Sequence, residues 1–283
     1  MSYSLNISQR SPTTWFRHLF EGSSSSSTSG WLRLVKCLLL ALSIGKLASE
    51  PAQAQGSFSW FQTSAQGFGD AAAAPDGKLW LAGKNGTIWY TPDGFNFQQV
   101  AGGGFKRVTV APNNSLWAVG FNGTLWRRSP NGLWTESIAT GIIDATVAPS
   151  GVVYAVRGDG GIQRTVDGVS FTSISGSGFV RAAAGPDGSL WAVGGNGTLW
   201  RRSASGVWSQ SSASGMADVA VDAFGAIWVV GLNGTVWYSQ NGSSFNQVPA
   251  GGFGSVAASI YQSVNMAWAV GINGSVWRCT RNP

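Results

Sequence analysis

The chain of 283 residues has a net charge of +6, and only 11% of its residues are charged. After residue 54 it carries thirteen Lys/Arg against ten Asp/Glu, a small and dispersed surplus that argues against binding of nucleic acid or of a membrane surface. The only histidine is His18, and the only cysteines are Cys37 and Cys279.

Residues 1–54 have the character of a signal peptide with a long n-region. A serine-rich stretch is followed by the basic Arg33 and Lys36, the apolar run "CLLLALSIG" and a small-x-small cleavage site at 52–54. The apolar run is shorter than the ~20 residues that span a bilayer, so we expect cleavage and no membrane insertion afterwards. An uncleaved anchor is the alternative. We therefore expect an exported protein, secreted or periplasmic, with Cys279 as its only cysteine and no internal disulfide.

The next segment repeats one pattern along its whole length. The stretches "SLWAVGFNGTLWRRS" (115–129) and "SLWAVGGNGTLWRRS" (189–203) differ at one position. Equivalent aromatic residues recur at a spacing of 37 residues, and of 40 at the last step: Trp80, Trp117, Tyr154, Trp191, Trp228 and Trp268. Each unit contains four short apolar runs separated by turn residues. In the first unit these lie near 69–75, 78–83, 87–91 and 95–100.

Six such units predict an all-β protein, a six-bladed β-propeller with four antiparallel strands, a to d, in each blade of the domain 55–283. Apolar residues on both faces of strand b favour strands that are covered on both sides. The Asn-Gly pair between strands b and c is typical of a two-residue hairpin in which both central residues have positive φ.

Closure of the ring is predicted to use the N-terminal strand. Trp60 lies 37 residues before Phe97, which gives the segment 57–63 the register of a strand d. The d-strand aromatic alternates between Phe and Trp along the blades, and Trp60 continues this alternation. We expect this segment to pair with the C-terminal blade.

Odd and even blades also alternate in the charge of one residue near the axis. At the start of strand a the chain places Asp70, Arg107, Asp144, Arg181, Asp218 and Ser255. We expect a structural ring of alternating charge at one mouth of the central channel. The alternative is an anion site on Arg107 and Arg181.

Residues for catalysis are sparse. Glu136 is the only glutamate after the leader, no histidine follows His18, and no metal-ligand cluster stands out. We therefore expect no enzyme activity, no catalytic residues, no metal and no cofactor; a sialidase-like hydrolase is the least favoured class. Asp93 and Asp167, in turns that resemble the Asp boxes of sialidase-like propellers, are interpreted as turn formers, with calcium binding as the weaker alternative.

The repeated unit "LWAVG-x-NG-T-LWRR" resembles the tectonin repeat of tectonin and tachylectin-type lectins. The resemblance implies a propeller that binds glycans of a cell surface or envelope, including O-methylated sugars and lipopolysaccharide, in repeated pockets between blades. We expect a monomeric, multivalent lectin. Some proteins with such repeats are interaction scaffolds, so a protein–protein scaffold is the alternative function.

Sugars stack on aromatic rings while planar polar groups hold their hydroxyls. The predicted carbohydrate-binding residues are Trp89, Trp126, Arg127, Arg128, Trp200, Arg201, Arg202, Trp237, Trp277 and Arg278. The alternative for the tryptophans is core packing between blades, which we expect above all for those of strand b. Gln163 replaces the c-strand tryptophan in the third blade, so a pocket there would be impaired.

Overall fold

The computed structural model describes residues 57–261 and 264–281, and the predicted signal peptide lies outside them. The described residues form 24 strands in six four-stranded antiparallel sheets, which are the blades of a β-propeller. They include no helix that is long and apolar enough to cross a membrane. The predicted fold class is confirmed.

The strands fall into four layers from the axis outward. Strands a are β2 (Phe68–Ala73), β6 (Phe105–Val110), β10 (Ile142–Val147), β14 (Phe179–Ala184), β18 (Met216–Val221) and β22 (Phe253–Tyr261). Strands b are β3 (Leu79–Gly83), β7 (Leu116–Gly120), β11 (Val153–Arg157), β15 (Leu190–Gly194), β19 (Ile227–Gly231) and β23 (Val264–Gly271). Strands c are β4 (Ile88–Thr91), β8 (Leu125–Arg128), β12 (Ile162–Thr165), β16 (Leu199–Arg202), β20 (Val236–Ser239) and β24 (Val276–Arg281). Strands d are β5 (Gln98–Val100), β9 (Trp134–Glu136), β13 (Thr172–Ile174), β17 (Trp208–Gln210), β21 (Asn246–Val248) and, for blade 6, β1 (Phe58–Gln62).

The ring closes as the sequence predicts. The sixth sheet has the order β1-β24-β23-β22, and Trp60 of β1 lies opposite Cys279 of β24. The Trp60 ring stacks on Phe253, with centroids 4.9 Å apart, and Phe58 packs against Trp228 at 5.3 Å. The N-terminal strand therefore contributes both backbone pairing and aromatic packing to the last blade.

The core lies between neighbouring blades, and strands b are at its centre. Every residue of β3, β7, β15 and β19 is buried. Three b-strand tryptophans press against glycines in the c–d turns of the next blade: Trp117 on Gly168, Trp191 on Gly242 and Trp268 on Gly94. The core interpretation of the b-strand tryptophans is confirmed.

The b–c hairpin differs from the prediction. Gly83 pairs with Thr87, so the loop has three residues, and only Gly86 in it has positive φ, at 87°. Asn85 instead accepts hydrogen bonds at Oδ1 from the backbone N (3.2 Å) and Oγ1 (2.6 Å) of Thr87. A side chain at Gly83 would meet these atoms, with its Cβ 2.6 Å from Asn85 Oδ1. The G-x-N-G-T motif therefore encodes a turn followed by an αL glycine.

The turn interpretation of the Asp-box segments is confirmed. Asp93 Oδ1 accepts hydrogen bonds from the backbone N of Phe95 and of Asn96, both at 2.8 Å. These bonds lower the pKa of Asp93. Asp167 makes the equivalent pair of bonds in blade 3.

Blade 6 departs from the other blades at its a–b hairpin. In blade 1 the a–b pairing ends at Ala73 and Leu79, whereas in blade 6 it continues for three further pairs, to Tyr261 and Val264. Blade 6 has three more residues than the other blades here, and shared between two strands they lengthen the hairpin by ~1.5 residues on each side, or ~5 Å at ~3.3 Å per residue. The spacing of 40 in place of 37 residues arises here.

Candidate functional site

Three equivalent clefts open beside strand c of blades 1, 4 and 5, with volumes of about 380, 500 and 510 Å³. Each is bounded by the linker that enters the blade, by the b–c hairpin and by two aromatic rings. The recurring side chains are Asn85, Thr87, Trp89 and Phe97 in blade 1, Asn196, Thr198, Trp200 and Trp208 in blade 4, and Asn233, Thr235, Trp237 and Phe245 in blade 5. The linkers are 64–68, 176–179 and 212–216.

The cleft tryptophan is held in place by a short chain of hydrogen bonds. In blade 1, Trp89 Nε1 donates to Thr87 Oγ1 at 2.9 Å, and Thr87 Oγ1 donates to Asn85 Oδ1 at 2.6 Å. The indole N–H is thus used by the protein, and the half-buried ring itself faces the cleft. The Nδ2 group of Asn85 has no acceptor among the described residues and remains available to a ligand.

The clefts are neutral. Among the described residues, no Asp, Glu, Lys or Arg lines any of the three. The lining consists mainly of aromatic rings, glycine backbone, hydroxyls and amides, to which blade 1 adds Ala65 and blade 5 adds Ala213, Met216 and Leu232. This combination suits an uncharged ligand with one apolar face and several hydroxyl groups.

Trp126 and Trp277 occupy the same register in blades 2 and 6 and make the same indole hydrogen bonds, to Thr124 (2.8 Å) and Ser275 (2.8 Å). Blade 3 carries Gln163 in the tryptophan position and Gly161 in the threonine position. Because glycine has no hydroxyl, a tryptophan at 163 would lack its acceptor, which explains why the two positions change together.

The predicted site arginines lie elsewhere. Arg127 and Arg201 stack over the b-strand rings of Trp117 and Trp191, each at 5.9 Å, and Arg128 lies over Trp80 at 5.7 Å. None of the predicted arginines, Arg127, Arg128, Arg201, Arg202 and Arg278, lines the three clefts. Trp126 and Arg127 are adjacent in one strand, so their side chains point to opposite faces of the blade.

The predicted charged ring is present at one end of the central tunnel. Arg107 Nη1 donates to Asp70 Oδ1 at 2.7 Å, and Ser255 Oγ donates to the same oxygen at 2.9 Å. Asp70 Oδ2 accepts from the backbone N of Val108 at 2.9 Å. A bulge precedes the ring residue in every strand a, as between Phe68 and Asp70.

The ring holds three carboxylates but two guanidinium groups, because Ser255 stands where the alternation would place a third arginine. Arg181 Nε lies 3.6 Å from Asp218 Oδ1, and the one hydrogen bond that Asp144 accepts from the described residues comes from the backbone N of Ala182, at 2.9 Å. Burial raises the pKa of Asp144 to about 6, against the lowering effect of Arg181 and Arg107. Burial alone would lower the pKa of Arg107, but the three carboxylates raise it.

No protein-family model and no curated protein matches the chain, so the resemblance to tectonin-repeat lectins remains a prediction. Solved structures do match. A gluconolactonase from Xanthomonas campestris is 13% identical, with a TM-score of 0.64 over 82% of this chain and 93% of that one. Virginiamycin B lyase from Staphylococcus aureus is 13% identical, with a TM-score of 0.58 over 79% and 99%. YCF48 bound to D1 peptide is 17% identical, with a TM-score of 0.56 over 83% and 100%.

These comparisons correct one expectation. The paucity of titratable residues predicted that the chain is not an enzyme, but the matching propellers include a lyase and a gluconolactonase. The fold therefore hosts catalysis, and the lack of a sialidase-type residue set does not exclude it. At this identity the likeness shows the β-propeller fold alone and assigns no reaction.

Proposed function

We propose that the protein is an exported, multivalent carbohydrate-binding protein that recognises neutral sugars in its blade clefts. The observation that carries the proposal is the recurrence, in three blades, of a fixed tryptophan ring beside a second aromatic ring and a free asparagine amide. The cleft volumes fall in the range typical of small-ligand sites, ~300–1,000 Å³. The sequence resemblance to tectonin repeats supports the same function.

The neutral lining refines the expected ligand. A phosphorylated or acidic sugar would bring an unpaired charge into a cleft without a cationic side chain, which is costly. We therefore expect uncharged glycan residues of a cell surface or envelope to bind, and the uncharged sugars of a lipopolysaccharide to bind in preference to its phosphates. Because each cleft is small, binding to a dense surface gains from several clefts at once, by ~10²–10⁴ in avidity.

The test is a glycan array probed with the chain from residue 55 and competed with free sugar. The chain itself offers a matched control, because blade 3 folds with Gly161 and Gln163. The Thr198→Gly/Trp200→Gln double variant gives blade 4 that natural pair. Neutral glycans that bind the parent, with weaker binding by the variant, would support the proposal. No binding to any glycan would refute it.

A protein scaffold is the second candidate. Exposed apolar side chains at the tips of three b–c hairpins, Phe121, Leu232 and Ile272, favour it. The matched propeller YCF48 is bound to a peptide. Co-purification of one stoichiometric protein partner that free sugar does not displace, and that a Phe121→Ser variant loses, would favour the scaffold over the lectin.

A further inference from the structure

Three boundaries between an odd blade and the even blade that follows it share a set of three positions near the c–d turns. Two of the positions are cross-strand neighbours on strands b and c of the odd blade, and the third is on strand c of the even blade. The sets are Trp80, Tyr90 and Arg128 between blades 1 and 2, Tyr154, Arg164 and Arg202 between blades 3 and 4, and Trp228, Tyr238 and Cys279 between blades 5 and 6. The blade 3–4 boundary therefore carries two arginines, where the others carry one and none.

The blade 1–2 boundary shows how far such an arginine reaches. Arg128 Cζ lies 5.7 Å from the ring centroid of Trp80, and the Trp80 and Tyr90 rings are 5.2 Å apart. The guanidinium group fills the space beside the c–d turn of its own blade, because a Cβ at Gly132 would lie 3.1 Å from Arg128 Nη2. Arg128 thus crosses from blade 2 to the ring pair of blade 1.

Arg202 has the same placement in blade 4. A Cβ at Gly206 would lie 2.8 Å from Arg202 Nη2. Arg202 is opposite Leu190 in the β15–β16 pairing, and Leu190 belongs to the apolar cluster against which Tyr154 packs. Tyr154 is in turn opposite Arg164 in the β11–β12 pairing. Since cross-strand neighbours share one face of a sheet, the two arginines lie on the facing surfaces of blades 3 and 4.

The protein does not neutralise these two charges. Neither Arg164 nor Arg202 forms an ion pair with a described residue, and the Nε of Arg202 is buried without a hydrogen-bond partner there. The carboxylate of the blade 4 a–b turn, Asp187, is already paired with Arg201 at 2.7 Å. Two like charges on facing surfaces repel each other. The tyrosine that blades 1 and 5 have in the register of Arg164 would avoid this repulsion.

We propose that the blade 3–4 boundary binds a dianionic phosphate group between Arg164 and Arg202. Guanidinium groups donate paired, charge-assisted hydrogen bonds to phosphate oxygens, and two of them balance the charge of the dianion. Tyr154 has a smaller ring than the tryptophan of blades 1 and 5, which leaves room for the ligand.

The phosphate site lies at the c–d turn end of strands c, whereas the carbohydrate clefts open at the b–c hairpin end. Arg202 is the last residue of β16, and Arg164 is the last but one of β12. The phosphate site therefore does not depend on sugar binding in the clefts. A free phosphate ion and a phosphorylated sugar share the chemistry that it recognises.

Calorimetry with inorganic phosphate at pH 8 and low salt tests the proposal. We expect the parent to bind one phosphate ion, and to bind chloride at least tenfold more weakly. The double variant Tyr154→Trp/Arg164→Tyr gives blade 3 the residue pair of blade 1, so we expect it to melt like the parent and to bind phosphate at least tenfold more weakly. Arg202→Ala removes the other guanidinium group, and we expect a loss of the same size.

Arg128→Ala is the matched control, because it removes the arginine of the boundary that has only one. We expect it to leave phosphate binding unchanged. Glucose 6-phosphate identifies the source: tighter binding than inorganic phosphate supports a phosphorylated sugar, and equal or weaker binding supports the free ion. A parent that binds no phosphate, or full binding by either folded variant of the blade 3–4 boundary, would overturn the proposal.

Discussion

Replacing Arg107 by alanine is expected to destabilise the propeller through the charged ring. The ion pair between Arg107 and Asp70 is buried, with the two side chains 13% and 7% exposed and 2.7 Å between their atoms. Removing one partner of a buried pair costs ~3–5 kcal/mol, because the other charge is left without compensation. Asp70 keeps its bonds from Ser255 Oγ and the backbone N of Val108, which favours the lower end of this range.

Arg201→Ala is the matched control. Arg201 also pairs with an aspartate at 2.7 Å, Asp187, but the side chains are 45% and 53% exposed. Exposed pairs of this kind contribute ~0–1 kcal/mol. The two variants thus remove an ion pair of the same length that differs in burial, and Arg201→Ala also removes the stacking of Arg201 over Trp191.

Urea unfolding at pH 7, followed by tryptophan fluorescence, measures the difference. We expect Arg107→Ala to lower the free energy of unfolding by ~3 kcal/mol or more, and Arg201→Ala by less than ~1 kcal/mol. For a domain of this size the first change corresponds to a loss of at least ~6 °C in melting temperature. Equal effects in the two variants would refute the structural role of the ring.

Three further outcomes are expected. Deleting residues 57–63 removes β1 and the stacking of Trp60 on Phe253, and should cost several kcal/mol, ~3–5 for the aromatic ring alone; a truncated chain as stable as the parent would contradict this closure. The folded-state pKa of Asp144 is about 6, above its ordinary value of 3.8, so its stabilising effect is complete below pH 3.8 and is lost as the pH rises through 6. Urea titrations at pH 4 and pH 7 should therefore show a loss in the parent that is smaller in Asp144→Asn by up to ~3 kcal/mol; part of the loss remains in the variant, because burial also raises the pKa of Asp218 and of Asp222. Trp228→Ala, at a fully buried ring, should cost ~3–5 kcal/mol in the same assay, and a neutral effect would contradict the core assignment.

The repeated sequence made the fold and the ring predictable. Four steps of 37 residues set the number and length of the blades, and the alternation of residues at the start of strand a located Asp70 and Arg107 beside each other. Trp60 was identified because its spacing to Phe97 is the repeat length. These features depend only on comparing one unit with the next.

The contents of the clefts were less predictable. The tryptophans were identified from their register, but the linkers that complete each cleft enter from the preceding blade, a contact that a single repeat does not reveal. The prediction that Arg127 and Trp126 share one site overlooked that the side chains of adjacent residues in a strand point to opposite faces of the sheet. The hairpin prediction was wrong because Asn85 bonds to Thr87 and leaves positive φ to Gly86 alone.

The burial of Asp222 was not predicted. The sequence shows an aspartate in a register where blade 1 has Ala74, but its burial depends on the turn that it closes, in which Asp222 Oδ1 accepts from the backbone N of Phe224 and of Ala226. Likewise, the 40-residue step indicates three extra residues without saying that they extend the a–b hairpin. The sequence shows where a blade departs from the repeat, but only the structure shows what surrounds the changed residues.

The most direct test of the proposed function is the number of sugar sites. Calorimetry with the free sugar that best competes on the array should count one site for each working cleft. The double variants Thr198→Gly/Trp200→Gln and Thr235→Gly/Trp237→Gln should each remove one site, two when combined, while the affinity of the remaining sites and the melting temperature stay close to those of the parent. An unchanged stoichiometry in the folded combined variant would contradict carbohydrate binding at these clefts.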